Sequence, residues 1–374
     1  MSTRQKRLLA ALRPITIAAS AAAIAFSATS AAYANPHILV DVQSGRVLEH
    51  EDAFRKWYPA SLTKLMTIYT TFDAIRSGQI SVDTPIVMSK TAAAQPPAKM
   101  YFKPGQKLTL DSALKILIVK SANDIAVAVA EAVGGTQDAF VLRMNAEAAK
   151  LGMNDTHFVN PNGLPGKGQY TTARDLAILS VALRRDFPQY ASYFSLEGIT
   201  TGKQNIPAIN MLIGRFAGAD GMKTGFICAS GFNQISSATR NGRTLVSVVL
   251  GTDSLAARAD ASADMLQRGF TTQPTGTDTL GSLKPYGETQ EVADLTAEIC
   301  SAKGAKIRSE TRDEVGRMKI HSPYIQEMDH EPNFVYAGLI PGQNDPQPDK
   351  LATADGVGDI ANVPIPTPRP TSGF

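Results

Sequence analysis

The first regular hydrophobic pattern is a strand-like run, Ile38-Leu39-Val40-Asp41-Val42. Ser44-Gly45 turns it back into Arg46-Val47-Leu48, which reads as a hairpin. Helical spacing follows. Leu62, Leu65, Met66, Tyr69 and Phe72 share one face, and Leu110, Ala113, Leu114 and Leu117 form a second stripe. Asp124 reads as the cap of a helix from Ile125 to Val133, which Gly134-Gly135 ends. Thr172 and Asp175 form a capping-box-like start for a helix through Leu183. The second strand signal is stronger: Gly231 to Thr239 and Thr244 to Leu250 flank Asn241-Gly242, a favoured hairpin turn pair. Val246 to Leu250 is almost wholly apolar, as a buried central strand is, and a helical run from Ser254 to Phe270 follows. Strands at both ends with helices between predict an α+β unit over residues 35–271, an antiparallel sheet covered by helices.

The texture changes after Phe270. Thr271 to Tyr286 is rich in Thr, Gly and Pro and reads as a linker; Glu291 to Ala302 fits one helix; residues 272–340 are expected to form a small appendage. From Pro341 to Phe374 the chain holds seven of its 22 prolines and few apolar residues, the composition of a disordered tail.

The chain has 374 residues, 19% of them charged and 43% hydrophobic, which excludes a collagenous, coiled-coil or wholly disordered protein. Its formal charge of +3 comes from 37 basic against 34 acidic groups. Four of the basic groups (Arg4, Lys6, Arg7, Arg13) lie in residues 1–34 with no acid, which leaves 33 against 34. The basicity is therefore no argument for nucleic acid as a partner. It marks an expected signal peptide, 1–34: a basic start, an apolar run from Ile15 to Ala28, and Ala32-Tyr33-Ala34 as the cleavage pattern. That run is shorter than the roughly 20 residues needed to cross a bilayer. The mature chain is expected in the periplasm. In such a compartment Cys228 and Cys300 are expected to form one disulfide, two buried thiols being the alternative.

None of the five histidines pairs at a metal-binding spacing, and no Gly-x-Ser-x-Gly elbow surrounds any serine. A histidine-free route to a reactive serine places a neutral lysine beside it. Ser61-Leu62-Thr63-Lys64 supplies that spacing, because residues i and i+3 share a helix face. Pro59 sits ahead of the helix, so Ser61 falls in its first turn, where free N–H groups favour developing negative charge. Burial of Lys64 would lower its pKa and make it a base. Ser-x-x-Lys alone is a weak signal. Ser121-Ala122-Asn123 at a break between helical patterns, and Lys223-Thr224-Gly225 at the start of a strand, complete a three-part set in the right order.

At these residues the chain resembles the serine D-alanyl-D-alanine carboxypeptidases, the low-molecular-mass penicillin-binding proteins. The likeness extends through Tyr58 to Thr67, Asn160-Pro161-Asn162-Gly163-Leu164-Pro165, Tyr170 to Asp175, and Gly218 to Gly225. It implies a β-lactamase/transpeptidase-like fold. It also implies that Ser61 attacks the bond between two terminal D-alanines of a peptidoglycan stem, with Lys64 as base. By the same likeness Ser121 and Asn123 relay a proton and hold the substrate amide. Lys223 and Thr224 receive the terminal carboxylate, with Arg258 as a further candidate; a solvated helix arginine is the other reading of Arg258. Backbone N–H groups of Ser61 and Phe226 would form the oxyanion hole, and Gly225 would let the strand edge approach the substrate. No cofactor or metal is implied, and β-lactam antibiotics would be covalent inhibitors. Ala122 departs from the Ser-Asp-Asn form of the second motif, and no Glu-x-x-x-Asn deacylation segment appears between the second and third motifs. Both argue against a β-lactamase, the first alternative; a non-catalytic penicillin sensor is the second. The prolines at 364, 366, 368 and 370 preclude an amphipathic anchoring helix at the C-terminal end, so no membrane anchor is expected in the mature chain.

Overall fold

The strand-like runs from the two ends of the predicted unit meet in one sheet. In the computed structural model, residues 35–272, 276–310 and 318–342 are described. The expected signal peptide, 1–34, and residues 343–374 of the expected tail lie outside the described residues. Strands β1 (His37–Asp41) and β2 (Val47–Glu51) form the first hairpin, with Gly45 at φ +67° in its turn. A 3-10 turn, Ala60–Leu62, leads into α1 (Thr63–Arg76). Next come β3 (Pro85–Val87), α2 (Lys90–Ala93), β4 (Lys107–Thr109), α3 (Leu110–Val119), α4 (Asn123–Gly134), α5 (Gln137–Leu151) and α6 (Ala173–Asp186). Two short strands follow, β5 (Gly198–Thr200) and β6 (Asn205–Pro207). The second hairpin is β7 (Ala219–Ile227), β8 (Gly231–Arg240) and β9 (Arg243–Thr252), ahead of α7 (Leu255–Thr271). Beyond it lie α8 (Thr296–Ile299), α9 (Ala302–Glu310) and β10 (Phe334–Tyr336).

The main sheet is antiparallel throughout, in the order β2-β1-β9-β8-β7. Its central strand is β9, as the apolar run predicts. Val246, Val248 and Leu250 face the large core with Ile38, Val40, Leu65 and Phe72, while Leu245 and Val249 pack against Ala259, Ala263 and Leu266 of α7. Each such buried aliphatic side chain contributes roughly 1.5–3 kcal/mol, so a strand covered on both faces has no solvent-side register to slip into. The β8–β9 turn has Asn241 at φ +50° and Gly242 at +77°, the two positive values a type I′ turn requires. The site lies at the other end of this sheet order, where, among the described residues, β7 has no further strand beside it and instead abuts the 3-10 turn before α1.

Three local expectations change. The cap of α4 is Ala122, not Asp124, which lies in the first turn with its carboxylate engaged elsewhere. Thr172 caps α6 by accepting from the Asp175 N–H, but the Asp175 carboxylate accepts from Asp155 N and Thr156 Oγ1 rather than closing a capping box. Glu291 to Ala302 holds only the four-residue helix α8; the longer helix starts at Ala302. The stretch read as a linker also packs down. Leu280 and Leu283 are buried, Leu280 N donates to Gly45 O, and Val47 N donates to Asp278 O. Farther on, β10 pairs in parallel with β5, and Ala337 and Leu339 join the main core. Among the described residues no single helix is long and apolar enough to cross a membrane.

Candidate active site

Ser61 sits in the 3-10 turn at the base of α1, which starts where Leu62 N donates to Pro59 O (3.1 Å). The turn is held from behind. A Cβ on Gly163, whose φ is +84°, would lie 1.8 Å from Ala60 O, so only glycine lets the Asn162-Gly163 backbone press against it. Lys64, one turn deeper, is fully buried. Its Nζ lies 2.6 Å from Asn162 O, 2.8 Å from Asn123 Oδ1 and 3.0 Å from Ser61 Oγ. The first two oxygens can only accept. A neutral amine has two N–H bonds and one lone pair, so those oxygens take both N–H bonds and the lone pair faces the Ser61 hydroxyl. Burial lowers the Lys64 pKa to about 7, opposed in part by the charge of Asp124. Neutral and protonated forms are then comparably populated near neutrality.

The break between α3 and α4 delivers the second motif. Ser121 takes a left-handed φ of +61°, and its buried Oγ has no hydrogen-bond partner. Asn123 opens α4. Its Oδ1 accepts from Lys64, and its Nδ2 donates to Pro96 O (3.0 Å) and Pro97 O (3.2 Å). The Asn123 N–H groups are thus taken by the 96–97 backbone, and its side-chain oxygen helps orient Lys64.

Strand β7 supplies the third motif. Lys223 is buried, donates to Thr224 O (2.9 Å), and has its pKa lowered well below the usual lysine value by burial, then by Lys64 and Arg258. Thr224 is buried on the same strand, and Phe226 stacks on Phe232 with ring centroids 4.3 Å apart. A Cβ on Gly225 would meet Ser61 N at 3.0 Å and both Leu62 N and Pro59 O at 3.2 Å. The glycine thus serves the close approach of the strand to the serine-bearing turn. Arg258 is not a solvated helix arginine. It is buried on α7, reaches toward Gly225 O (3.4 Å), keeps Nη2 without a partner, and has its pKa lowered by burial to about 9. Ser61, Lys64 and Asn123 are thus joined by direct hydrogen bonds, and Lys223, Gly225 and Arg258 adjoin them across β7.

Two contributors escaped the sequence reading. Asn162 binds Lys64 through its backbone carbonyl, which no side-chain pattern reports; the Asn162-Gly163 turn pair was the available signal. Asp124 is fully buried beside the site. Its Oδ2 accepts from Met100 N (2.9 Å) and Tyr101 N (3.2 Å), its Oδ1 accepts from Ile125 N (2.9 Å), and burial raises its pKa to about 6. It ties the 96–101 stretch to α4. Among the described residues, no group of three or more His, Cys, Asp or Glu side chains is placed to hold a metal ion.

Comparison with known proteins identifies the family. A family model described as D-alanyl-D-alanine carboxypeptidase matches residues 21–254. The chain is 36% identical to D-alanyl-D-alanine carboxypeptidase DacC of Escherichia coli over 240 residues, 62% of this chain and 60% of that one. It thus spans about three fifths of that relative's length. The crystal structure of D-alanyl-D-alanine carboxypeptidase DacD from Francisella tularensis superposes with a TM-score of 0.61 at 32% identity, covering 72% of this chain and 74% of that one. Penicillin-binding protein D2 from Listeria monocytogenes, in its ampicillin-bound form, superposes at 0.56 with 29% identity, covering 63% of this chain and 97% of that one. The chain belongs to the D-alanyl-D-alanine carboxypeptidase family.

Proposed function

We propose that this chain is a serine carboxypeptidase that removes the terminal D-alanine from peptidoglycan pentapeptide stems through an acyl-enzyme on Ser61. The observation that carries the reading is the coordination of Lys64: two acceptor-only oxygens hold its N–H bonds, which leaves the amine lone pair for the Ser61 proton 3.0 Å away. In acylation, Ser61 Oγ bonds to the carbonyl carbon as its proton passes to Lys64 Nζ. The C–N bond then breaks, a proton reaches the leaving amine, and D-alanine departs. The unpartnered Ser121 hydroxyl is suited to that transfer. Water adds next, losing a proton to Lys64; the ester C–O bond to Ser61 then breaks, Lys64 returns that proton to Ser61 Oγ, and the tetrapeptide is released.

Substrate placement follows from charge. Lys64, Lys223 and Arg258 are three buried basic groups, which favours a ligand that brings a carboxylate. Lys223, Thr224 and Arg258 would receive it, while the N–H groups of Ser61 and Phe226 would bind the oxyanion. The ampicillin-bound relative supports β-lactams as covalent inhibitors, which mimic the acylated dipeptide. This reading carries with it the periplasmic location expected from the signal-peptide pattern of residues 1–34. The test is mass spectrometry of purified pentapeptide stems after incubation with the mature protein. Loss of one D-alanine, absent in Ser61→Ala, is expected; intact stems would overturn the reading.

A further inference from the structure

The gap between β7 and the serine-bearing turn is set within tenths of an ångström, since Gly225 has no room for even a methyl group against Ser61 N. Within this unit, one segment bonds to the chain on both sides of that gap. Ala293 N donates to Lys56 O (3.1 Å), five residues ahead of Ser61. Leu295 N donates to Ala229 O (2.9 Å) in the turn that follows β7. Cys300, at the end of α8, is joined by a disulfide to Cys228, the residue after β7 and two beyond Phe226, with Cα atoms 5.5 Å apart. Between these anchors, Leu295 Cδ1 and the Trp57 ring close on Gly251, and Trp57 Nε1 donates to Ser230 O (2.9 Å). The 293–300 segment therefore bridges the stretch entering the nucleophile turn and the turn leaving the oxyanion strand. Beyond the main chain itself, its covalent cross-link is the disulfide at the strand end.

We propose that the Cys228–Cys300 disulfide is a positioning device for catalysis. It fixes segment 293–300 across the gap and so sets the distance between the Phe226 N–H and Ser61. This goes one step beyond the acyl-enzyme reading and rests on it. A disulfide placed only for stability can close a loop anywhere on the surface. This one ends beside a catalytic donor, and its segment binds the other side of the same gap by backbone hydrogen bonds that need the segment held in place. These are the only two cysteines in the chain, so a reductant acts at this one bond. A dithiol such as dithiothreitol supplies two electrons and two protons: the S–S bond breaks to two thiols, and the reagent closes to its cyclic disulfide.

The test starts from the folded, oxidised mature protein and reduces it in place, with Cys300→Ser as the parallel variant. Reduction of the native protein keeps the test sound if the variant fails to fold. The measurements are the second-order rate constant for acylation by a fluorescent penicillin, the kcat and KM for D-alanine release from a diacyl-D-Ala-D-Ala peptide, and far-ultraviolet circular dichroism. Loss of a whole oxyanion donor costs about 10²–10³ in rate, so a displaced donor is expected to cost about tenfold in kcat and acylation. KM should stay within about twofold, and the dichroism should not change. Acylation and kcat within about twofold of the oxidised enzyme, in protein that remains folded, would reduce the disulfide to a staple and overturn the proposal. Backbone amide exchange separates this from failure of the underlying reading. If the oxidised protein is neither acylated nor active, the Ser61 assignment falls. The brace is then judged by exchange at 57–62 and 226–230, which must quicken on reduction more than in the rest of the sheet; uniform or unchanged exchange refutes it.

Discussion

The pH dependence of acylation follows directly from how Lys64 is housed. In water a lysine amine is protonated up to about pH 10.4 and cannot accept the serine proton at neutrality. Here the amine is buried against two carbonyl oxygens and a hydroxyl, and its pKa falls to about 7. A drop of this size corresponds to roughly 5 kcal/mol of disfavoured charge, close to what mutual desolvation of a buried ammonium imposes. The sign is fixed by which form reacts. In the proposed mechanism the neutral amine is the base, so acylation must rise with pH through the folded value and level off above it. With a midpoint of about 7, roughly one lysine in eleven is neutral at pH 6 and roughly ten in eleven at pH 8, a rise of about tenfold. The assay is stopped-flow acylation by a fluorescent penicillin in the pseudo-first-order regime, from pH 5.5 to 9 at constant ionic strength. It reports the free enzyme, because penicillin carries no group titrating in that range. Asp124→Asn removes the negative charge that favours the ammonium, so the midpoint should move to lower pH. A profile flat across this range, or one still climbing at pH 9 as for a solvated lysine, would refute the neutral-amine mechanism.

Ser61→Ala should abolish both D-alanine release and penicillin labelling while leaving the circular dichroism unchanged, since a half-exposed hydroxyl contributes little to packing; residual turnover would remove Ser61 from the chemistry. Gly225→Ala drives a methyl group to 3.0 Å from Ser61 N, and the turn must move by a few tenths of an ångström to admit it. Acylation should fall at least about tenfold with about 1–3 kcal/mol lost in denaturant unfolding, and native kinetics would show that the gap is not tightly set. Arg258→Ala should raise KM for peptides ending in a free carboxylate far more than for their amides. An equal effect on both would mean that the buried guanidinium serves the fold and not the ligand.

Much of the site was legible in the chain itself because its parts are local. The i, i+3 spacing of Ser61 and Lys64 is covalent geometry plus a helix, and each of the other two motifs lies within three consecutive residues. The two hairpins and the central strand were legible for the same reason: Asn241-Gly242 dictates its turn, and an all-apolar strand has to lie inside. What the sequence left open were contacts between residues distant in the chain. Arg258 reads as solvated or buried with equal ease until α7 is laid against β8. The constraint on Gly225 comes from residues 59–62, and the Asn123 donors are taken by a backbone stretch 26 and 27 residues upstream. The linker-like composition of 271–286 hid Leu280 and Leu283, which are buried because this stretch joins the main core and bonds to the β1–β2 hairpin and Arg174.

The sequence by itself determined which groups are candidates for the chemistry and on which kinds of element they sit, because residue type and short-range periodicity are properties of neighbouring positions. Tertiary structure alone decided that Lys64 is enclosed by Asn123 and the Asn162 carbonyl, that three basic side chains share one buried region, and that a disulfide-tied segment spans the gap between β7 and the serine-bearing turn. Those are facts of desolvation and of distance between remote parts of the chain. Both arise only when the sheet and its helices exclude water together.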